Sequence, residues 1–181
     1  MQKNLILIGY RATGKTSISR QLGETLQWNV ADSDRLIEQK AKKSIAKIFA
    51  EDGEPAFRNL ESEVLFEALQ KRPLILATGG GLPMREANRI LLQQFGKIVW
   101  LKASPKTILE RMSGDPNTET TRPHLTQLPP FEEIQYVLEQ RSPIYREIAD
   151  LEIDTDQKPP EDIAAQIASW LQKESVKTSV C

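Results

Sequence analysis

Between Leu5 and Thr25 the chain reads LILIGYRATGKTSISRQLGET, and few folds accommodate such a stretch. Leu5 to Ile8 form an unbroken apolar run, the pattern of a parallel strand covered on both faces. Gly9, Gly14, Lys15 and Thr16 satisfy G-x-x-x-x-G-K-[ST], and Ile18, Leu22 and Leu26 then recur at i, i+4 and i+8, one face of a helix. Strand, glycine loop and helix in that order make a phosphate cradle. Backbone N–H groups can curl around phosphate oxygens only where no Cβ intrudes, and the helix N-terminus adds partial positive charge. Lys15 supplies a point cation for the β and γ phosphates, and the Thr16 hydroxyl is a hard oxygen suited to Mg²⁺.

Beyond the first helix the chain keeps alternating strand and helix. Trp28 to Ala31 predict a short strand ending at Asp32-Ser33-Asp34. Ligands in open parallel sheets lie beyond the carboxyl ends of strands, so both carboxylates face the phosphate loop. Asp32 is placed to hold Mg²⁺ through water opposite Thr16. Asp34 either accepts a proton from an attacking hydroxyl, or orients it, or caps the helix starting at Arg35. Ser44 to Ala50 predict a short amphipathic helix stopped by Asp52-Gly53, and Pro55 opens a longer one reaching Leu69. Arg58 and Glu61 lie three apart on it, as a surface pair or as an acid-binding arginine with its fixing carboxylate.

Leu74 to Ala77 predict a third strand, followed by Thr78-Gly79-Gly80-Gly81, where bare backbone N–H groups imply that something closes against them. A helix over Arg85 to Gln93, a strand over Ile98 to Leu101, and a helix capped by Ser104 with Pro105 come next. Residues 113–130 carry turn formers without a period, which predicts a mobile lid. Arg122 is its cation, suited to late charge stabilisation of a transferring phosphoryl group, and His124 reads as lid surface. Phe131 to Ile148 predict a helix with a kink at Pro143, Leu151 to Ile153 a fifth strand, and Glu161 to Gln172 a last helix, with a frayed tail beyond.

Five strands alternating with helices predict a three-layer α/β/α fold with a parallel sheet, read as one domain over residues 1–181. Composition narrows the partners. A net charge of −1 argues against an extended nucleic-acid footprint, and no apolar run approaches the roughly 18 residues of a membrane helix. The first strand begins within four residues of Met1, which leaves no room for a targeting segment, and Cys181, the single cysteine, excludes an intrachain disulfide. A cytoplasmic monomer is the expectation. Asp34, Arg58, the Gly79 to Gly81 loop and Arg141 gather on the acceptor side, two guanidiniums and a carboxylate suited to a small acid bearing hydroxyls.

These residues resemble those of shikimate kinases, and the resemblance covers nearly the whole chain. It rests on GYRATGKT, Asp32-Ser33-Asp34, Phe57-Arg58 with Glu61, Thr78 to Gly81, Arg122-Pro123, and EQRSPIYREIAD from Glu139 to Asp150. The resemblance implies a nucleoside-monophosphate-kinase-like P-loop fold with strand order 2-3-1-4-5, an acceptor-binding region over about 33–61 and a lid over about 113–130. It implies ATP at Gly9, Ala12, Thr13, Gly14, Lys15, Thr16 and Ser17, with Arg111 and Pro159 flanking adenine and Arg122 closing over the phosphates. Thr16 and Asp32 would position Mg²⁺. Asp34, Arg58, Gly80, Gly81 and Arg141 would bind shikimate, with Asp34, Lys15 and Arg122 catalytic. The implied reaction makes shikimate 3-phosphate on the route to chorismate and aromatic amino acids. In the lid the chain departs from many family members: Arg122-Pro123 is followed by His124-Leu125-Thr126 rather than two leucines. Rival readings are a kinase of another hydroxy acid such as gluconate, and a non-catalytic ATP-binding module.

Overall fold

The computed structural model of the chain describes residues 4–114 and 127–178. Its centre is β1 (Asn4–Ile8), whose five residues are all buried. β1 pairs in parallel with β3 (Leu74–Ala77) on one side and β4 (Gly96–Lys102) on the other, while β2 (Asn29–Asp32) and β5 (Leu151–Asp154) form the edges. The order β2-β3-β1-β4-β5 is the one that the resemblance implied. Every crossover between neighbouring parallel strands carries helix, as parallel pairing requires.

Successive β1 side chains separate into two cores because strand side chains alternate. Leu5 and Leu7 face α1 (Lys15–Leu26) and the closing α8 (Pro160–Thr178), packing with Ile18, Leu22, Ile163 and Ile167. Ile6 and Ile8 face the opposite layer, made of α4 (Gly53–Leu69), α5 (Glu86–Phe95) and α7 (Pro130–Ile148), and pack with Leu65, Leu92, Tyr145 and Ile148. Each such fully buried aliphatic side chain contributes about 1.5–3 kcal/mol through removal from water. Sheet position therefore dominates the core.

Two smaller apolar clusters position the ligand-facing end. Ile37 on α2 (Ser33–Ala41), Ile45 and Ile48 on α3 (Ile45–Glu51), and Phe57 and Val64 on α4 make one. Tyr10, Ile108 on α6 (Pro105–Ser113), and Ile134 and Val137 on α7 make the other.

Several boundaries differ from the sequence reading, each for a local reason. Asp32, not Asp34, is the cap of α2: its carboxylate accepts the backbone N–H of Asp34 at 3.0 Å, so the helix starts two residues before Arg35. A 3₁₀ turn at Leu82–Met84 follows the glycine run. α7 runs from Pro130 to Ile148 with Pro143 inside it, as the sequence predicts, since loss of one N–H within a 19-residue helix packed on two clusters does not end it. The polar tail after Gln172 does not fray at once. α8 runs to Thr178, with Leu171 in the core and Glu174 bridging at 3.4 Å to Lys97, which also pairs with Asp150.

Candidate active site

The phosphate loop lies between the end of β1 and the start of α1. Gly9 has φ +140°, and a Cβ there would come within 2.4 Å of the Leu101 carbonyl, so the loop leaves the sheet only with glycine at this point. Ala12 takes φ +61°, which costs an L-residue about 1–2 kcal/mol. Its carbonyl accepts Nη1 of Arg111 at 3.2 Å, and the same guanidinium donates to Thr155 Oγ1 at 3.0 Å and to the Thr155 carbonyl at 2.7 Å. Arg111 thus braces the loop against the strand-end loop after β5. The Lys15 ammonium donates to the carbonyls of Gly9 (2.8 Å) and Tyr10 (2.6 Å), and its side chain is buried. The Thr16 hydroxyl donates to Asp32 Oδ2 at 3.1 Å across the gap between the loop and β2.

A groove runs over this loop. It is lined by Ala12, Thr13, Gly14, Lys15, Thr16 and Ser17, by Asp32 and Thr78, and at its far end by Arg111, Thr155, Lys158 and Pro160. Of the sequence-assigned nucleotide residues, Gly9 lies beneath the loop as an acceptor for Lys15, and the groove touches the neighbours of Pro159 rather than Pro159 itself. Arg122, with the rest of 115–126, lies outside the described residues.

A second cavity opens beside the first. Its walls are Asp34, Arg58, Glu61, Gly79, Gly80, Gly81 and Arg141, with Tyr10 and Arg11 from the loop and an apolar floor of Ile45, Phe49 and Phe57. The Phe49 and Phe57 rings are 4.6 Å apart between centroids. All five acceptor-side residues expected from sequence come together here, from four separate segments. Arg58 is held on both sides, by Glu61 at 3.0 Å and by Glu54 at 3.2 Å, and its guanidinium lies 5.2 Å from the Phe57 ring centroid. Burial pushes the Glu61 carboxyl up, while the guanidiniums of Arg58, Arg141 and Arg85 pull it down. Glu61 is therefore the fixing partner of Arg58 and not a surface ion.

The three glycines leave room for three side chains. A Cβ on Gly79 would stand 2.5 Å from Asp34 Oδ1, one on Gly80 3.4 Å from Arg141 Nη1, and one on Gly81 2.9 Å from Arg58 Nη1. Each glycine receives one polar group of the cavity. Ser33 Oγ accepts the Gly79 N–H at 2.8 Å, and the Tyr145 hydroxyl donates to the Gly80 carbonyl. Burial raises the Tyr145 phenol to about 12, so it stays a donor throughout the physiological range.

Three guanidiniums against two carboxylates give this cavity a net positive lining, suited to an acidic solute, and the aromatic floor suits a carbon skeleton. Sequence reading assigns no role to Arg11, Tyr145, Phe49 or Ser33. Ser33 sits within the Asp-Ser-Asp motif, which is the signal that could have found it. Arg11 and Tyr145 find their partners 122 and 65 residues away, where no local pattern reaches.

A family model described as shikimate kinase matches residues 11–172. The chain is 39% identical over 165 residues to the shikimate kinase of Rhodopirellula baltica, covering 91% of this chain and 88% of that protein. It is 40% identical over 171 residues to that of Pseudomonas putida, covering 94% and 97%. The solved structure of the shikimate kinase of Acinetobacter baumannii in complex with shikimate superposes with a TM-score of 0.89 at 34% identity, covering 96% of this chain and 95% of that one.

Proposed function

Because the chain belongs to the shikimate kinase family, we propose that its groove and its cavity hold ATP and shikimate end to end. The activity is ATP-dependent phosphorylation of shikimate, giving ADP and shikimate 3-phosphate, a step toward chorismate and the aromatic amino acids. The observation that carries the assignment of residues is the adjacency of the two spaces, one built on the phosphate loop and the other on Asp34, Arg58 and Arg141.

In this reading Arg58 and Arg141 take the shikimate carboxylate, the ring lies on Phe49 and Phe57, and Asp34 with the Gly80 and Gly81 backbone takes the hydroxyls. The attacking hydroxyl oxygen forms a bond to the γ-phosphorus as the bond to the bridging β–γ oxygen breaks. Asp34 orients that hydroxyl and accepts its proton, and ADP carries away the bond pair. Lys15 turns from the loop carbonyls to the β- and γ-phosphate oxygens, whose negative charge outcompetes neutral acceptors. Arg111 and the segment around Pro159 flank the adenine, and Arg122 closes over the phosphates.

Thr16 and Asp32 fit Mg²⁺: a hydroxyl and a carboxylate 3.1 Å apart, both hard oxygens, beside a phosphate cradle. Among the described residues no group of three or more His, Cys, Asp or Glu forms a self-sufficient metal cage, the usual situation for a Mg²⁺ that arrives on a nucleotide. When bound, the ion would neutralise phosphate charge and hold the γ group in line. The chain is read as a cytoplasmic monomer. No described helix is long and apolar enough to cross a membrane.

Coupled measurement of ADP release with Mg-ATP tests the function. Shikimate is expected to support turnover on the order of 1–100 per second, while gluconate, AMP and no acceptor give background, and a chelator in excess over Mg²⁺ abolishes the signal. Equal rates with gluconate, or acceptor-independent ADP release, would overturn it. Arg58→Ala tests the carboxylate clamp. A hydrogen bond to a charged group contributes about 1.5–3 kcal/mol, so the shikimate KM should rise about 10- to 10²-fold with kcat within about threefold. An unchanged KM would remove Arg58 from the clamp.

A further inference from the structure

Arg11 stands at the crest of the phosphate loop and, among the described residues, is the one that lines both spaces. The wall shared by nucleotide groove and acceptor cavity is where a phosphoryl group must pass. A guanidinium on a loop crest would ordinarily sample many rotamers. This one does not, because its Nη2 donates to Glu133 Oε1 at 2.5 Å, and Glu133 is 1% exposed. Its guanidinium carbon also lies 5.5 Å from the centroid of the adjacent Tyr10 ring, against which it packs. The guanidinium is thus anchored by a buried carboxylate on one side and an aromatic ring on the other, at the junction of groove and cavity.

Glu133 lies in the first turn of α7, the helix that also supplies Arg141 and Tyr145 to the acceptor cavity. We propose that Glu133 is a positioning residue for phosphoryl transfer, holding the Arg11 guanidinium at the junction of the two spaces so that the loop crest and the acceptor wall carried by α7 keep one geometry. The inference rests on the proposed occupants of those spaces. A buried carboxylate clamping a guanidinium is the arrangement seen at Arg58 with Glu61, repeated one wall away.

The test measures steady-state kinetics and thermal unfolding of the wild-type chain, E133Q, E133D, R11M and the doubly apolar R11M/E133L. Small misplacements of a group near reacting atoms cost up to about 10²-fold in rate. E133Q and R11M should each lower kcat about 10- to 10²-fold, with the KM values for ATP and shikimate within about threefold. E133D should recover part of the loss, and R11M/E133L should match R11M, because the proposal routes the effect of Glu133 on transfer through Arg11. Should E133Q or R11M fail to fold, R11M/E133L still decides, because a buried pair replaced by apolar residues is tolerated where a broken one is not: its kcat should fall about 10- to 10²-fold, and wild-type kcat in it would overturn the proposal. Wild-type kcat in E133Q with only a lowered melting temperature, or a further tenfold loss in the double variant beyond R11M, would overturn the proposal. A wild-type chain inactive toward shikimate would instead overturn the functional reading beneath it.

Discussion

Lys15→Met is expected to lower kcat by about 10²- to 10³-fold, the loss typical of removing one preorganised donor from a developing oxyanion. The methionine keeps the buried stem and removes only the ammonium. In the structure that ammonium spans the loop from inside, donating to the Gly9 and Tyr10 carbonyls, so the substitution also takes away a staple of the cradle. The two consequences separate experimentally. Each lost hydrogen bond from a charged donor is worth about 1.5–3 kcal/mol, offset by no longer desolvating a buried ammonium. The net change in stability should be within about 2 kcal/mol, or roughly 4–8 °C in melting temperature for a chain of this size. A rate loss of two to three decades cannot arise from so small a shift in a folded population. Turnover within threefold of wild type, measured at saturating ATP, would show that Lys15 serves the loop and not the phosphoryl group.

Asp34→Asn should lower kcat about 10²-fold, at the lower end of what a positioned proton acceptor contributes, because a loose phosphoryl transition state makes limited demand on a base. The shikimate KM should move less than about threefold, since the amide retains both the size and a hydrogen-bonding oxygen. A rate loss in this variant would not come from a damaged helix. Asp34 is not the cap of α2, because Asp32 performs that task, so the amide does not unseat the helix. Its Oδ1 sits against Gly79, where no other residue leaves it room, and the Gly79 N–H is held in turn by Ser33. Asp34 is thus placed by packing from one side and by the start of the helix from the other. Equal turnover in the Asn variant and the wild type would make Asp34 a binding group only.

The two variants and Arg58→Ala divide the mechanism between them. On the proposed roles Lys15 and Asp34 should act on the barrier, from the groove and from the cavity respectively, whereas Arg58 should act on the ground-state hold on the acceptor. A pattern in which all three raised the shikimate KM alike, with kcat intact, would describe a binding pocket without a transfer site.

Much of the fold and of the site is legible in the amino-acid order. The glycine loop with its strand and helix, the alternation that predicts a parallel sheet, and the carboxylates at a strand's end all arise from patterns within about ten residues. Such patterns are readable because glycine, capping residues and apolar period act through neighbouring backbone. The limits of that reach appear at particular places. Asp32 and Asp34 both suit a helix cap by type, and only the backbone geometry of β2 running into α2 selects Asp32. Glu61 reads equally well as half of a surface pair until α4 is packed with its carboxylate inward at 1% exposure. The tail beyond Gln172 is polar by composition, yet the Lys97 bridge to Glu174 and the seat of Leu171 in the core carry the helix on.

By itself the amino-acid order predicted a phosphate cradle, the strand that precedes it, and the residue types that line the second cavity. The tertiary structure alone decided that each glycine of the run receives a different side chain, that Tyr145 reaches back to Gly80, and that Glu133 clamps Arg11 from 122 residues away. The reason is one of range. Local conformation is dictated by neighbours along the chain, whereas contacts across the molecule depend on which strands become adjacent, and β1 lies between β3 and β4 only after the whole sheet has assembled.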